Sequence, residues 1–245
     1  ARKIAWKSGQ TRAIGKRAAT KIAKTKTPAA PGPAVQLPGL TLREAMRDSR
    51  VLRIAGANLL LPLFSSGVSM HMVPLIAEAG HDTSTAARIA ATAGVAGLAG
   101  KLVTGWLLDR FQGNIVPVLS FAVAALGYVL FLDVLGTTAG LVAGAMILGY
   151  ASGAGLQVST YLVSRYAGMR AFATIFSLIG SLMMIGAAVG PTIAGLIHDT
   201  TGSYSLLLMA AIPAVLIVSA LFAGPGPYPH FANPGDAGKP QGENG

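Results

Sequence analysis

Between residues 54 and 222 the chain runs six times through an apolar stretch of membrane-crossing length, with only short polar breaks between. The stretches fall at roughly 54–77, 86–108, 115–132, 139–163, 172–197 and 204–222, and about 20 apolar residues suffice for a helix to cross a bilayer. Backbone N–H and C=O groups inside lipid have no water to bond, and a helix satisfies them internally. The fold expected is an all-α membrane protein of six transmembrane helices. Only 11% of residues are charged and 52% are hydrophobic, against about 25% charged in a soluble domain. The chain therefore lacks the polar surface to be soluble. Its 31 glycines suit helices that pack closely within a membrane.

The same composition removes whole classes of chemistry. With no cysteine there is no disulfide framework, thiol nucleophile or cysteine-held metal. His71, His81, His198 and His230 share no metal-ligand spacing, and no nucleophile–base pair or phosphate loop stands out. Neither an enzyme nor a bound cofactor or metal is expected. A net charge of +10 would point to nucleic acid if it were spread over the molecule, but 12 of the 19 Lys and Arg lie in residues 1–50. That basicity belongs to one arm without interleaved aromatic residues, so no nucleic-acid partner is expected.

Residues 1–27 hold nine basic residues and no acidic one. Ile14, Ala18 and Ile22, four apart, form a weak apolar stripe that would let a helix rest on an anionic membrane surface; the alternative is a solvated cytoplasmic loop. No apolar core follows the basic start, so no signal peptide is read there, and the opening Ala1 is taken as the mark of a fragment or processed product. Pro28, Pro31, Pro33 and Pro38 make an extended linker. After it, TLREAMRDS at 41–49 reads as a short surface helix with Thr41 as its cap and Glu44 at the capping-box position. Asp109 and Arg110 occupy the second break between spans, and Arg165 and Arg170 flank the fourth. The odd-numbered breaks hold His81 with Asp82, Asp133, and His198 with Asp199. Loops rich in Lys and Arg stay in the cytoplasm. The arm, the Asp109–Arg110 turn and both termini are therefore expected inside the cell, in an integral protein of the plasma or inner membrane. The chain divides into a basic, proline-rich arm and linker (1–40), a six-helix bundle (41–223) and a tail (224–245). Five prolines and six glycines in the tail's 22 residues predict disorder.

Span two ends GKLVTGWLLD over 100–109 and span five ends GPTIAGLIHD over 190–199. Both read G-x4-G-x3-D, 90 residues and three spans apart. Three spans reverse the direction of crossing, so one copy ends inside and the other outside. That is the geometry of a 3+3 inverted repeat, a construction common in secondary transporters.

The segment from Gly105 to Gly113, GWLLDRFQG, resembles the G-x-L-x-D-R-x-G loop signature of the major facilitator superfamily. The run YLVSRYAGMRAFATIFS from Tyr161, followed by GAAVGPT from Gly186, is similar to spans ten and eleven of its oxalate/formate and monocarboxylate porter branch. The resemblance implies that 41–222 are spans seven to twelve, the C-terminal half of a major facilitator fold, with the basic arm as the central cytoplasmic loop. It also implies that the turn at Gly105, Asp109 and Arg110 is a gating loop. The sequence departs from the signature after Gly113, where Asn114 stands in place of the usual basic residues.

A few side chains stand out against the apolar background. Lys101 lies eight residues before Asp109, about 12 Å up the helix, where a charge is costly. In the porter branch a cation at this place is implicated in binding the substrate carboxylate; the plainer alternative is that Lys101 snorkels to the headgroups. Asp109 and Arg110 are expected to pair with Arg165 or Arg170 and a neighbouring helix end, latching an inward gate; the alternative is ordinary topology charge on the cytoplasmic side. His71, in a span that also holds Pro62, Gly67 and Pro74, is the one embedded group that titrates near neutral pH; otherwise it is a packed histidine near the outer interface. Gln157 and Tyr161 either face a substrate or bond across helices. Gly180, Gly186, Gly190 and Gly195, with Pro191, are expected to let span five approach its neighbours. The function expected is secondary transport of a small organic anion, a mono- or dicarboxylate, by alternating access, with an N-terminal six-span half or a second copy as partner. The alternative is a non-transporting, truncated or accessory membrane protein that pairs with another helix bundle.

Overall fold

A computed structural model describes residues 38–111, 113–132 and 136–226. The arm with its Ile14–Ala18–Ile22 stripe, all of the proline linker before Pro38, Asp133, and the tail beyond 226 lie outside the described residues. In chain order the helices are α1 (Leu42–Ala45), α2 (Ser49–Met70), α3 (Met72–Glu78), α4 (Thr83–Arg110), α5 (Ile115–Phe131), α6 (Thr138–Ala167), α7 (Phe172–Thr201) and α8 (Ser205–Ala223). Among the described residues there is no strand, only one isolated bridge between Gly39 and Gly168.

The helix ends follow from local chemistry. Thr41 and Glu44 form the expected capping box, Thr41 N–H bonding Glu44 Oε2 at 2.7 Å. The helix it starts is a single turn, because Asp48 then caps α2 by accepting from Arg50 N–H at 2.7 Å. Asp82 caps α4 by accepting from the N–H groups of Ser84 and Thr85, each at 3.1 Å. Hydrogen bonds from the Ser84 and Thr85 side chains, with these backbone bonds, hold its carboxyl well below the usual range. Gly202, left-handed at φ +73°, closes α7, as glycine does without a Cβ penalty.

Five helices (α2, α4, α6, α7 and α8) are long and apolar enough to cross a membrane. The sixth, α5, has 17 residues and is about 25 Å long, a little under the roughly 30 Å of a hydrocarbon core. The first span is not one helix over 54–77. It stops at Met70 and restarts at Met72, with His71 between them at φ −100° and ψ 14°. A proline ring clashes with the carbonyl four residues back, so Pro74 breaks the helix beside Met70, whereas Pro62 is carried inside α2.

The pairings of the helices are those of an inverted repeat. α4 packs on α6 and α7 on α2; α5 packs on α6 and α8 on α2; α5 and α8 meet each other, as do α2 and α6. Exchanging α2 with α6, α4 with α7 and α5 with α8 maps this set onto itself. The buried positions repeat as well: Ala96, Gly100 and Thr104 of α4 match Gly186, Gly190 and Ala194 of α7. Each pair is 90 residues apart, the offset of the G-x4-G-x3-D repeat.

Two ends of the bundle are fastened differently. At the end carrying Arg110 and Arg165, Leu40 N–H bonds Ala167 O at 2.8 Å and Met169 N–H bonds Pro38 O at 3.0 Å. There, too, Arg53 Nη1 donates to Gly224 O at 2.6 Å and Asn114 Nδ2 to the buried Tyr166 hydroxyl at 2.7 Å. At the opposite end Tyr204 lies between the rings of His71 and His198, with centroids 5.3 and 4.5 Å away. In the middle, the buried Asn58 of α2 accepts from the Ser159 hydroxyl of α6.

Candidate functional site

α4 and α6 run side by side with backbones nearly in contact. A methyl group on Gly149 would strike the Ala93 carbonyl, one on Gly153 the Gly97 carbonyl, and one on Gly100 the Tyr150 carbonyl. Small residues permit such an approach, and they also leave hollows where neither helix supplies a side chain. One hollow, of about 380 Å³, lies among Gly94, Gly97, Lys101, Ser152, Ser69 and Met72. Its volume falls within the range of small-molecule sites. Lys101 is exposed and forms no ion pair among the described residues. Its ammonium is the one cation in a lining of glycine, alanine, serine and apolar side chains.

A second hollow, of about 360 Å³, continues the same seam toward the Arg110 end, lined by Gly105, Leu108, Asp109, Gln157, Thr160 and Tyr161. Gln157 Oε1 is buried there with no hydrogen-bond partner among the described residues. The Arg165 guanidinium sits over the Tyr161 ring, 5.3 Å from its centroid, within cation–π range. Along α4 the positions 94, 97, 98, 101, 105, 108 and 109 fall on one face. Both hollows therefore lie along one strip, about 22 Å from Gly94 to Asp109.

The predicted site residues are thus distributed over three places. Lys101 lines the first hollow; Gln157, Tyr161, Gly105 and Asp109 line the second. His71 belongs to neither. Its Nε2 is 3.1 Å from the Pro191 carbonyl and its Nδ1 3.1 Å from the Tyr204 hydroxyl. A carbonyl only accepts, so Nε2 carries the hydrogen and Nδ1 accepts from Tyr204. Ser66 completes this joint by donating to the Ala187 carbonyl at 3.0 Å, the very group that Pro191, lacking an N–H, leaves without its helical donor. The expected pairing of Asp109 with Arg165 or Arg170 is not formed: Asp109 has no ion pair among the described residues, and Arg165 is turned onto Tyr161. Gly186 and Gly190 lie where a methyl would strike the carbonyls of Leu59 and Leu63. Gly180 and Gly195 do not share that role, since a methyl at Gly180 would meet nothing within 4 Å and one at Gly195 only His71 Cε1 at 4.0 Å.

Sequence reasoning missed Gly149 and Gly153, Asn58 with Ser159, and the Ser66–Ala187 bond. The first pair carried a signal, a small-x3-small spacing in span four. The others depend on which helix lies opposite.

The family profile of the Major Facilitator Superfamily matches residues 54–242. Monocarboxylate transporter 13 of Bos taurus is 28% identical over 203 residues, covering 81% of this chain and 46% of that protein. Monocarboxylate transporter 12-B of Danio rerio is 30% identical over 159 residues, 63% of this chain and 33% of its own length. Monocarboxylate transporter 12 of Mus musculus is 29% identical over 163 residues, 65% of this chain and 32% of its own. The chain thus spans less than half the length of these curated relatives.

Proposed function

The chain belongs to the major facilitator superfamily, and from that premise we propose that it forms the C-terminal six-span half of a secondary transporter for small monocarboxylates. The observation that carries this reading is Lys101: a cation midway along a membrane-crossing seam, exposed to a hollow, with no protein anion beside it. A charge in such a place is costly unless a counter-ion arrives, and a substrate carboxylate supplies one. One cation balances one carboxylate, which favours a monocarboxylate over a dicarboxylate, and the names of the relatives agree.

We infer further that the Asp109 end is the cytoplasmic side, by the arginines gathered there, and that Asp109, Arg165 and Arg170 form the inner gate, Arg110 standing on the other face of α4. Asp109 and Tyr161, which carries Arg165 on its ring, line one hollow. A rotation of Arg165 from the ring to the carboxylate would close the seam in an alternate conformation. An exposed pair of this kind contributes at most about 1 kcal/mol, enough to bias two states of similar energy. The weakly buried faces of α4 and α7, with Leu102 77% and Met184 67% exposed, are the surface for a second six-helix bundle.

The test is uptake of labelled lactate, formate and oxalate into proteoliposomes holding this chain alone or with an N-terminal six-span partner. Lactate or formate uptake is expected, and Lys101→Gln is expected to abolish it with the protein still reconstituted. Unchanged uptake in that variant removes Lys101 from the site; no uptake under either condition removes the transport reading.

A further inference from the structure

α4 and α5 are consecutive in the chain yet scarcely touch. Between them runs a cleft of about 350 Å³, walled by Leu107 of α4 and Phe111 just past its end and by Ile115, Leu119 and Val123 of α5, with Tyr150 of α6 as its floor. Ile115, Leu119 and Val123 are four residues apart and so form one stripe, about 12 Å long. They are 60%, 56% and 47% exposed. The floor hydroxyl is already engaged, because the Thr104 hydroxyl donates to the Tyr150 hydroxyl at 3.1 Å. A slot with apolar walls and a hydrogen-bonded floor offers little to a polar solute and much to a hydrocarbon chain. Its 12 Å length fits within one leaflet of a hydrocarbon core about 30 Å thick.

The mouth of the cleft carries a charge. Arg110 is the last residue of α4, is exposed, and lies three residues beyond Leu107, on the same face of the helix. It forms no ion pair among the described residues. The neighbouring Asp109 faces the other way, into the α4–α6 seam with Leu108 and Gln157. A guanidinium is thus left at the membrane boundary directly beside an apolar slot that runs into the bilayer.

We propose that this cleft binds one anionic phospholipid from the leaflet at the Arg110 end, an acyl chain lying along Ile115, Leu119 and Val123 and the phosphate held by Arg110. Guanidinium matches phosphate in charge and in its forked hydrogen-bond geometry. A bound chain fills the gap between two helices that do not pack on each other, restoring dispersion contacts that a void forfeits. The site does not depend on what the protein transports.

The test uses the full chain reconstituted in vesicles. Trp6 and Trp106 are the two native tryptophans; with both replaced by Phe, Leu119→Trp places a single reporter in the cleft. Leu216→Trp on α8, where Leu216 is 47% exposed, serves as a control on ordinary bilayer. Quenching by brominated phosphatidylglycerol is compared with quenching by brominated phosphatidylcholine at equal mole fraction. One arginine near the surface favours anionic lipid by about fivefold. That preference is expected at Leu119→Trp, a ratio near one at Leu216→Trp, and a fall to near one when Arg110→Gln is added to Leu119→Trp. Equal ratios at the two reporters, or a cleft preference untouched by Arg110→Gln, overturns the proposal. Should Leu119→Trp fail to reconstitute, Val123→Trp, one turn deeper, carries the same expectation.

Discussion

Glycine on α4 serves two different ends. Gly97 and Gly100 stand against the backbone of α6, where a methyl would crowd a carbonyl. Gly94 lines the Lys101 hollow, and a methyl there would meet nothing within 4 Å. It lies seven residues before Lys101, two turns along the same face and about 10 Å away. A side chain at Gly94 therefore takes volume from the hollow without disturbing the packing. Gly94→Leu is expected to leave formate uptake and thermal stability nearly unchanged while lowering uptake of larger monocarboxylates by about tenfold or more, in the range set by a crowded apolar pocket. A uniform loss for every acid would mean that Gly94 does not set the size limit. Lys101 itself was legible in the sequence, because a charge inside an apolar run is conspicuous. Its separation from Gln157 and Tyr161 was not, since it depends on the contact of α4 with α6, residues about 50 apart in the chain.

At the scale of the helix, the tight crossings and the motif glycine respond differently. Gly153 faces the Gly97 carbonyl and Gly190 the Leu63 carbonyl, both closer than any real side chain could stand. Gly105, the first glycine of the loop signature, has nothing within 4 Å of a would-be methyl. Gly153→Leu is expected to destabilise the bundle by about 1–3 kcal/mol or more, as overpacking does. Gly105→Ala should change stability by no more than about 1 kcal/mol, and in the favourable direction, because alanine is the better helix former. Reversible unfolding in mixed micelles measures both, and a tolerant Gly153 would show that the two helices part easily. The six apolar runs were readable in advance, since polar and charged residues punctuate them, but not that the first run makes two helices. The break at His71 was not expected from the sequence, because a proline either breaks a helix, as Pro74 does through the carbonyl four residues before it, or is carried inside it, as Pro62 is. His71 was singled out for its titration range, yet the helices around it use both ring nitrogens as fasteners.

For the whole molecule, the inverted repeat accounts for both the symmetry and its violations. The first glycine of each G-x4-G-x3-D copy, Gly100 or Gly190, sits at a helix crossing, and the second, Gly105 or Gly195, does not. The two acids, Asp109 and Asp199, end at opposite faces of the bundle. Where α4 has Lys101, the equivalent position of α7 has Pro191, which ties into the His71 joint. The repeat thus holds its packing positions in common and differs at the one position proposed to meet substrate. The 90-residue offset was visible because glycines mark the crossings; the matching of α2 with α6 was not, because their shared role is buried packing without a common motif. The orientation proposed from the distribution of arginines can be read directly, since the chain has no cysteine. In intact cells an impermeant maleimide should label Thr83→Cys, at the start of α4, and leave Met169→Cys unlabelled until the membrane is permeabilised. Met169 is 51% exposed in the loop between Arg165 and Arg170, so protection there reports sidedness and not burial. Labelling of Met169→Cys in intact cells would reverse the orientation and put the Asp109 gate on the outer face.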